Sequence, residues 1–296
     1  CRVMTIQQIL SSVQTAQRTH ATPERAVGVA GVVALGGLSV LAYSVGVTWK
    51  LLAISWVAFA AMAIGAPLGA RTAQTAQPVE PVWGYGLASG AMVTSAALFL
   101  IPQALGQHGR FGSLGIAAGF LAGYVGHAVG HRLTHLNVPI EQTAAELTVH
   151  ALAAGAIIGA IYTAMPSLTS ILGVALVSHK APAGYAAARR LADRDRSVVA
   201  LLLPAAAVGL VALPVGMTGL SPSPMLRGLL FGFGAGVFLH VAVDLLPECT
   251  AGSDTCPVDA AGDSDAHRFQ DRLRTHAAVS SLGGAAAVVA AWLVVV

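Results

Sequence analysis

Nine runs of apolar residues, each about twenty long, leave this chain few ways to fold. They fall at about 26–48, 51–70, 83–105, 112–131, 143–164, 168–187, 197–217, 226–246 and 276–296. At a rise of about 1.5 Å per residue, a twenty-residue helix crosses the roughly 30 Å hydrocarbon core of a bilayer. Inside that core only helices and closed barrels satisfy every backbone polar group. The expectation is an all-α integral membrane protein, a polytopic bundle of about nine transmembrane helices. The first two runs are barely separated, so residues 26–70 read as two spans or as one span and a re-entrant piece, and two spans are favoured. Only 10% of the 296 residues are charged and 55% are hydrophobic, whereas a soluble domain carries about 25% charged residues. Residues 26–296 are therefore read as one membrane domain, behind a polar tail at 1–25.

That tail carries Arg2, Arg18 and Arg25. It lacks the compact apolar core and small-residue cleavage site of a signal peptide. A start at Cys1 rather than methionine fits a chain trimmed or misassigned at its beginning. Orientation follows from basic residues in short loops. With the N-terminus inside, twelve arginines face inward: Arg2, Arg18, Arg25, Arg71, Arg132, Arg189, Arg190, Arg194, Arg196, Arg268, Arg272 and Arg274. Lys50, Arg110 and Arg227 face outward, and Lys180 lies within a span. The asymmetry predicts a cytoplasmic N-terminus, an odd number of spans and an extracellular C-terminus, in the plasma membrane. The net charge of +3 is small and gives no footprint for nucleic acid. Three cysteines, Cys1, Cys249 and Cys256, are too few for a disulfide framework. The loop at about 247–275 carries Asp254, Asp259, Asp263, Asp265 and Asp271 and reads as a solvated linker. A weak cation-binding role is its alternative, although six residues between Cys249 and Cys256 do not match structural zinc spacing.

One pattern, His-x-x-x-Ala-Gly, occurs twice: as HALAAG from His150 to Gly155 and as HKAPAG from His179 to Gly184. Both copies sit inside spans, where a histidine or lysine is costly and usually functional. Pro182 interrupts the backbone ladder after the second histidine, which membrane helices tolerate best beside a protein-lined cavity. The two helices are expected to be adjacent and to build one polar site at mid-membrane. Glu146 lies one turn before His150 on the same face. Such a pair is a frequent metal-ligand arrangement and equally a frequent buried hydrogen bond.

Other polar residues lie within spans. His240 and Asp244 share a face of the penultimate helix, suited to an ion path or to a helix-end contact. His127, His131 and His135 form a stripe at the inner end of one helix, either interfacial or a relay for departing cations. SGAMVTSAALFLIPQ (Ser89 to Gln103) and GAGVFLHVAVDLLPE (Gly234 to Glu248) resemble each other. Five spans lie from after the first copy through the second, so the copies point opposite ways, as inverted repeats do in transporters.

The two histidine motifs, with FLHVAVDLLPE and SAALFLIPQAL, resemble those of the ZIP family of divalent-metal transporters. That family carries His-Asn-x-x-(Asp/Glu)-Gly in its fourth helix and His-Glu-x-Pro-(His/Glu)-(Glu/Gly) in its fifth. The likeness covers roughly residues 51–296, leaving 26–48 as an extra N-terminal helix. It implies an eight-helix core with a three-two-three inverted repeat, and a metal site between the helices of His150 and His179. Gly155, Pro182 and Gly184 match the motif backbone. The family's asparagine is Ala151 here, its acids are Ala154 and Ala183, and the residue after the second histidine is Lys180. No carboxylate appears at Ala212 to Gly216, where the family's sixth helix carries one. Lys180 in place of a bridging carboxylate argues against a two-metal site. Unit charges about 4 Å apart repel by roughly 4 kcal/mol at an effective dielectric of 20, and a divalent ion doubles that. Lys180 must then turn away, pair with an acid such as Glu146 or Asp244, or stay uncharged.

The resemblance therefore implies transport of a transition metal, zinc first, by alternating access, with one ion held by His150 and His179 plus water, carbonyls or Glu146. Imidazole also suits iron, nickel and copper. No tightly bound cofactor is expected. The partners are the metal ion and the lipid bilayer, with a homodimer an open option. Two alternatives stand beside it: a transport-inactive sensor or scaffold, and a site repurposed for another solute that Lys180 recognises. Enzyme activity is not expected, since there is no HExxH and no pair of aspartates inside the helices.

Overall fold

The computed structural model describes residues 6–73, 79–133, 142–168, 170–219, 222–246 and 264–293; among these, the side chains of 6–24, 127–133, 142, 146, 171, 175, 176 and 264–267 lie outside the description. Apart from short connections the described residues are helical: α1 (Ile6–Ser44), α2 (Trp49–Thr72), α3 (Val79–Ser95), a π-helical turn (Ala96–Leu100), α4 (Ile101–Leu133), α5 (Gln142–Ala164), α6 (Ser170–Val177), α7 (Lys180–Asp193), a 3₁₀ turn (Val198–Leu201), α8 (Leu202–Met217), α9 (Pro224–Asp244) and α10 (Ser264–Leu293). Seven stretches among them are long and apolar enough to cross a membrane. This is a multi-pass, all-α membrane protein.

The chain breaks at two places, between the expected spans 83–105 and 112–131 and inside the expected span 168–187. The helical stretch Val79–Gly126 is 48 residues long, about 72 Å if straight, more than twice the hydrocarbon thickness. It is not straight. His108 adopts extended backbone angles (φ −165°, ψ 101°), and Gly112 comes back against the carbonyl of Ala104. Residues eight apart in a straight helix would be about 12 Å apart, so the chain makes a tight hairpin here. The Phe111 N–H donates to His108 Nδ1 at 3.4 Å, capping the returning arm. The run at 168–187, expected as one span, is instead two helices, with a turn at Ser178–His179 between α6 and α7. Pro182, in the first turn of α7, cannot donate the backbone bond that would carry a helix back across Ser178.

The helices sort into two groups. In the first, α2 lies against α7 and α8, α5 against α8, and α1 against α8. In the second, both arms of α4 pack on α9, and α3 packs on α10 and α9. Facing residues give the directions. Gly65 meets Ala181 and Gly69 meets Tyr185, so α2 and α7 are parallel; Gly155 meets Val208 and Gly159 meets Ala212, so α5 and α8 are parallel. Gly28 meets Leu202 and Gly209 meets Leu35, aligning α1 with α8. In the second group the returning arm of α4 runs parallel to α9, with Gly115 on Leu229 and Gly123 on His240. The outgoing arm is antiparallel to α9: Gly228 meets Ala104, and Ser89 Oγ donates to the Ala242 carbonyl at 2.7 Å. The described parts of the two similar segments, 89–103 and 234–246, thus run in opposite directions.

Small residues set the spacing within the second group. Gly119 lies directly against the Phe233 carbonyl, and Gly232 against that of Gly112, with no room at either for a Cβ. Lipid tails are as apolar as leucine, so helices in a bilayer associate through such close approach rather than through expulsion of water.

Candidate functional site

The site lies where the two helix groups meet. From the first group, α5 brings His150 and the turn before α7 brings His179; from the second, α9 brings Phe238 and the π-helical turn brings Leu100. The Nε2 atoms of His150 and His179 stand 3.4 Å apart, with one donating to the other according to tautomer. The rings meet edge to face at 5.5 Å between centroids, and His179 makes a similar contact with Phe238 at 4.9 Å. His179 is 1% exposed.

The spacing of the pair has chemical meaning. Two imidazole nitrogens bound at about 2.05 Å to one tetrahedral zinc would stand about 3.3 Å apart. The pair is thus already at the separation that shared coordination of one ion requires. It is equally the separation of a weak histidine–histidine hydrogen bond.

Beside the pair is a cavity of about 20 Å³ lined by His150, Ala154, Ile157, Leu100, Gly234 and Phe238 among others. That is room for one water-sized particle. Among the described residues, His150 supplies its only polar side chain. The π-helical turn contributes Leu100; such turns displace a helix's register locally and are frequent at functional sites.

Lys180, the residue after His179, is 1% exposed, and its Nζ has no hydrogen-bond partner among the described residues. It lies within electrostatic reach of His150. Of the alternatives for Lys180, pairing with Asp244 is not seen: Asp244 is exposed at the end of α9, and the Glu146 side chain lies outside the description. Among the described residues no three or more histidine, cysteine, aspartate or glutamate side chains gather in one place.

The remaining residues singled out in the sequence are placed as follows. Gly155 lets α5 approach α8, and Gly184 lies against Met62 of α2, so both motif glycines serve packing within the first group. His240 is two positions past Phe238, about 200° around α9; its ring meets Phe120 and Tyr124 of α4 at 5.5 and 6.5 Å. It is not gathered with the histidine pair. The side chains of His127 and His131, the whole of His135, and residues 247–263 with Cys249 and Cys256 lie outside the described residues.

Sequence reasoning missed two features. One is the apolar wall of Leu100, Ile157 and Phe238; Phe238 lies inside the repeated segment, which was the available signal. The other is a set of contacts joining the groups at the end where α2 finishes. Arg189 of α7 donates to the Thr72 carbonyl at 3.1 Å and approaches Glu80 of α3 at 3.6 Å. Arg190 sits 5.5 Å from the centre of the Tyr85 ring on α3. Compared with known proteins, the chain matches no protein-family model and no curated protein.

Proposed function

We propose that this chain is a divergent member of the ZIP family and carries a divalent transition metal ion, zinc first, across the membrane. It makes nine crossings, counting the hairpin at His108 as two and α6 with α7 as one, with its N-terminus in the cytoplasm beneath the plasma membrane. The observation that carries this reading is the pair itself: two imidazole nitrogens 3.4 Å apart, one on the spanning helix α5 and one buried at the turn before α7, at the junction of two separately packed helix groups. Alternating access needs such a junction, because sliding or rocking one group against the other exposes the site to either side. His150 and His179 bind the ion. Water and backbone carbonyls at the turn before α7 complete its coordination, with Glu146 as a further ligand. Lys180 fills the place of a second metal and restricts the site to one ion.

The test is zinc uptake by purified protein in proteoliposomes. Saturable uptake in the wild type, lost in both His150→Ala and His179→Ala, is the expected result. Absence of uptake for zinc, iron, manganese and cadmium, together with absence of binding by calorimetry, overturns it. A site repurposed for another solute is favoured by one observation: among the described residues, the only charge at the site is the positive one of Lys180.

A further inference from the structure

Near the turn that joins them, α1 and α2 are tied together: Trp56 Nε1 donates to Ser39 Oγ at 3.1 Å. Towards the end where α2 finishes they part. There Gly28 of α1 meets the Val199 carbonyl and the Leu202 side chain, and Gly31 meets Leu203, so α1 leans on the 3₁₀ turn and α8 instead. Beside α2 this leaves a groove of about 160 Å³, lined by Met62, Ala63, Pro67, Val198, Leu201 and Leu202 among others. Among the described residues none from α1 lines it. These walls are apolar, and an apolar cavity of about 150 Å³ stays free of water and holds a hydrocarbon the size of benzene. The helix surface next to the groove, at Ile64 and Leu68, is exposed and apolar, as a surface facing lipid is.

The mouth of the groove is basic, and three separate elements make it so. Arg71 follows Ala63 and Pro67 at four-residue intervals, so it stands on the face of α2 that lines the groove, one turn beyond it. Arg25 precedes Gly28 by three residues and stands on the face of α1 that meets the 3₁₀ turn. Arg194 and Arg196 lie in the short link before Val198. That link is held in shape: the Arg196 N–H donates to the Leu191 carbonyl at 2.8 Å across Asp195, which takes left-handed backbone angles (φ 54°). All four arginines are exposed, and the acids beside them are Asp193 and Asp195, so the mouth is net positive. Arg25, Arg71 and Arg196 meet no carboxylate among the described residues.

We propose that this groove binds one anionic phospholipid, with an acyl chain in the apolar cleft and the phosphate over Arg25, Arg71 and Arg196. An apolar slot that ends in a cationic rim is the complement of a hydrocarbon chain that ends in an anion, and basic pockets between spanning helices take anionic headgroups for this reason. A soluble anion leaves the slot unfilled. A zwitterionic lipid brings a cation of its own to the rim. The bound lipid fills the gap between α1 and α2 and so joins the N-terminal helix to the first helix group. None of this rests on the metal-transport reading.

The test is native mass spectrometry of the delipidated full chain in detergent, titrated with dioleoyl phosphatidylglycerol or dioleoyl phosphatidylcholine. Wild type is expected to retain a single phosphatidylglycerol, with a preference of about tenfold or more over phosphatidylcholine. Arg71→Gln combined with Arg196→Gln lowers that affinity about tenfold or more, because two cations leave the rim. Ala63→Leu, which fills the cleft, lowers it as well. Arg272→Gln removes an exposed arginine from α10 and leaves the affinity unchanged. Wild type without the preference overturns the site. An equal loss in Arg272→Gln does the same, since it reports only the general attraction of anionic lipid to a basic surface. Displacement of the lipid by glycerol phosphate at matched concentration makes the ligand a soluble phosphate ester and overturns the lipid assignment. If Ala63→Leu fails to fold, the exposed arginine pair and the glycerol phosphate competition decide. Zinc uptake enters none of these readouts, so its absence overturns metal transport alone.

Discussion

Two of the three cations of helix α7, Lys180 and Arg189, are treated in opposite ways by the fold. Arg189, with 12% of its side chain exposed, meets the Thr72 carbonyl and the Glu80 carboxylate. Lys180, more deeply buried, meets no acceptor among the described residues. Arg189 lies where the chain leaves the apolar region, and there a charge finds partners that tie one helix group to the other. Lys180 lies beside the histidine pair, and there the described residues supply burial without a counter-charge. A protein that needed Lys180 only for structure would gain from an acid beside it or a methionine in its place.

The largest expected effects fall on the histidine pair, because transport depends on both nitrogens. His150→Ala and His179→Ala are each expected to reduce zinc uptake to that of empty liposomes. Their thermal unfolding in detergent should shift little, since removing an imidazole from beside a cavity leaves helix packing in place. A variant that unfolds instead would make the pair structural, and the contrast with Arg189 would lose its meaning.

Next is the packing that holds the groups as units. Gly232→Val places a side chain against the Gly112 carbonyl with no room to accept it. A loss of about 3 kcal/mol is expected, since overpacking against backbone is relieved only by moving a helix. Denaturant unfolding in mixed micelles measures it. The corresponding substitution at Gly36, which has open space around it, should cost little.

Lys180→Met sharpens the comparison directly. The variant is expected to be more stable than the wild type by about 1–4 kcal/mol, because a buried cation without a described partner is replaced by an apolar chain of similar length. A loss of stability would show that Lys180 has a partner that matters, and these two cations of α7 would then be alike.

The contrast between these cations was only half legible in the sequence. Hydropathy reports preference for lipid over water, so it located the spans well: runs at 143–164 and 197–217 became Thr143–Ala164 and Val198–Met217. The repeated His-x-x-x-Ala-Gly motif also brought attention to two histidines that do meet. Hydropathy does not report which neighbour a side chain chooses. Arg189 and Glu80 are far apart in the chain, and nothing in their local pattern joins them. His240 and Asp244 share a helical face, yet His240 packs on Phe120 and Tyr124 because those residues lie on the helix that α9 meets most closely. The turn at Ser178–His179 fell inside an apolar run because three polar residues, Ser178 to Lys180, are outweighed by the apolar residues on either side when hydropathy is read over a whole span. Those polar residues and Pro182 were its marks.

The smallest effect expected is at Arg189, and it bears on motion as well as stability. The ion pair with Glu80 is 3.6 Å long, and the Glu80 side chain is 44% exposed, so solvent screens it. A double-mutant cycle with Arg189→Gln and Glu80→Gln should give a coupling of about 0.5 kcal/mol in thermal unfolding. Yet this pair spans the two groups, as does Arg190 over Tyr85. If the groups shift against each other during transport, both contacts must break once per cycle, and breaking them by mutation should change the uptake rate by more than so small a coupling predicts. Equal, small effects on stability and uptake would mean that the groups move without parting at this end, and that Arg189 is as purely structural as its partners suggest.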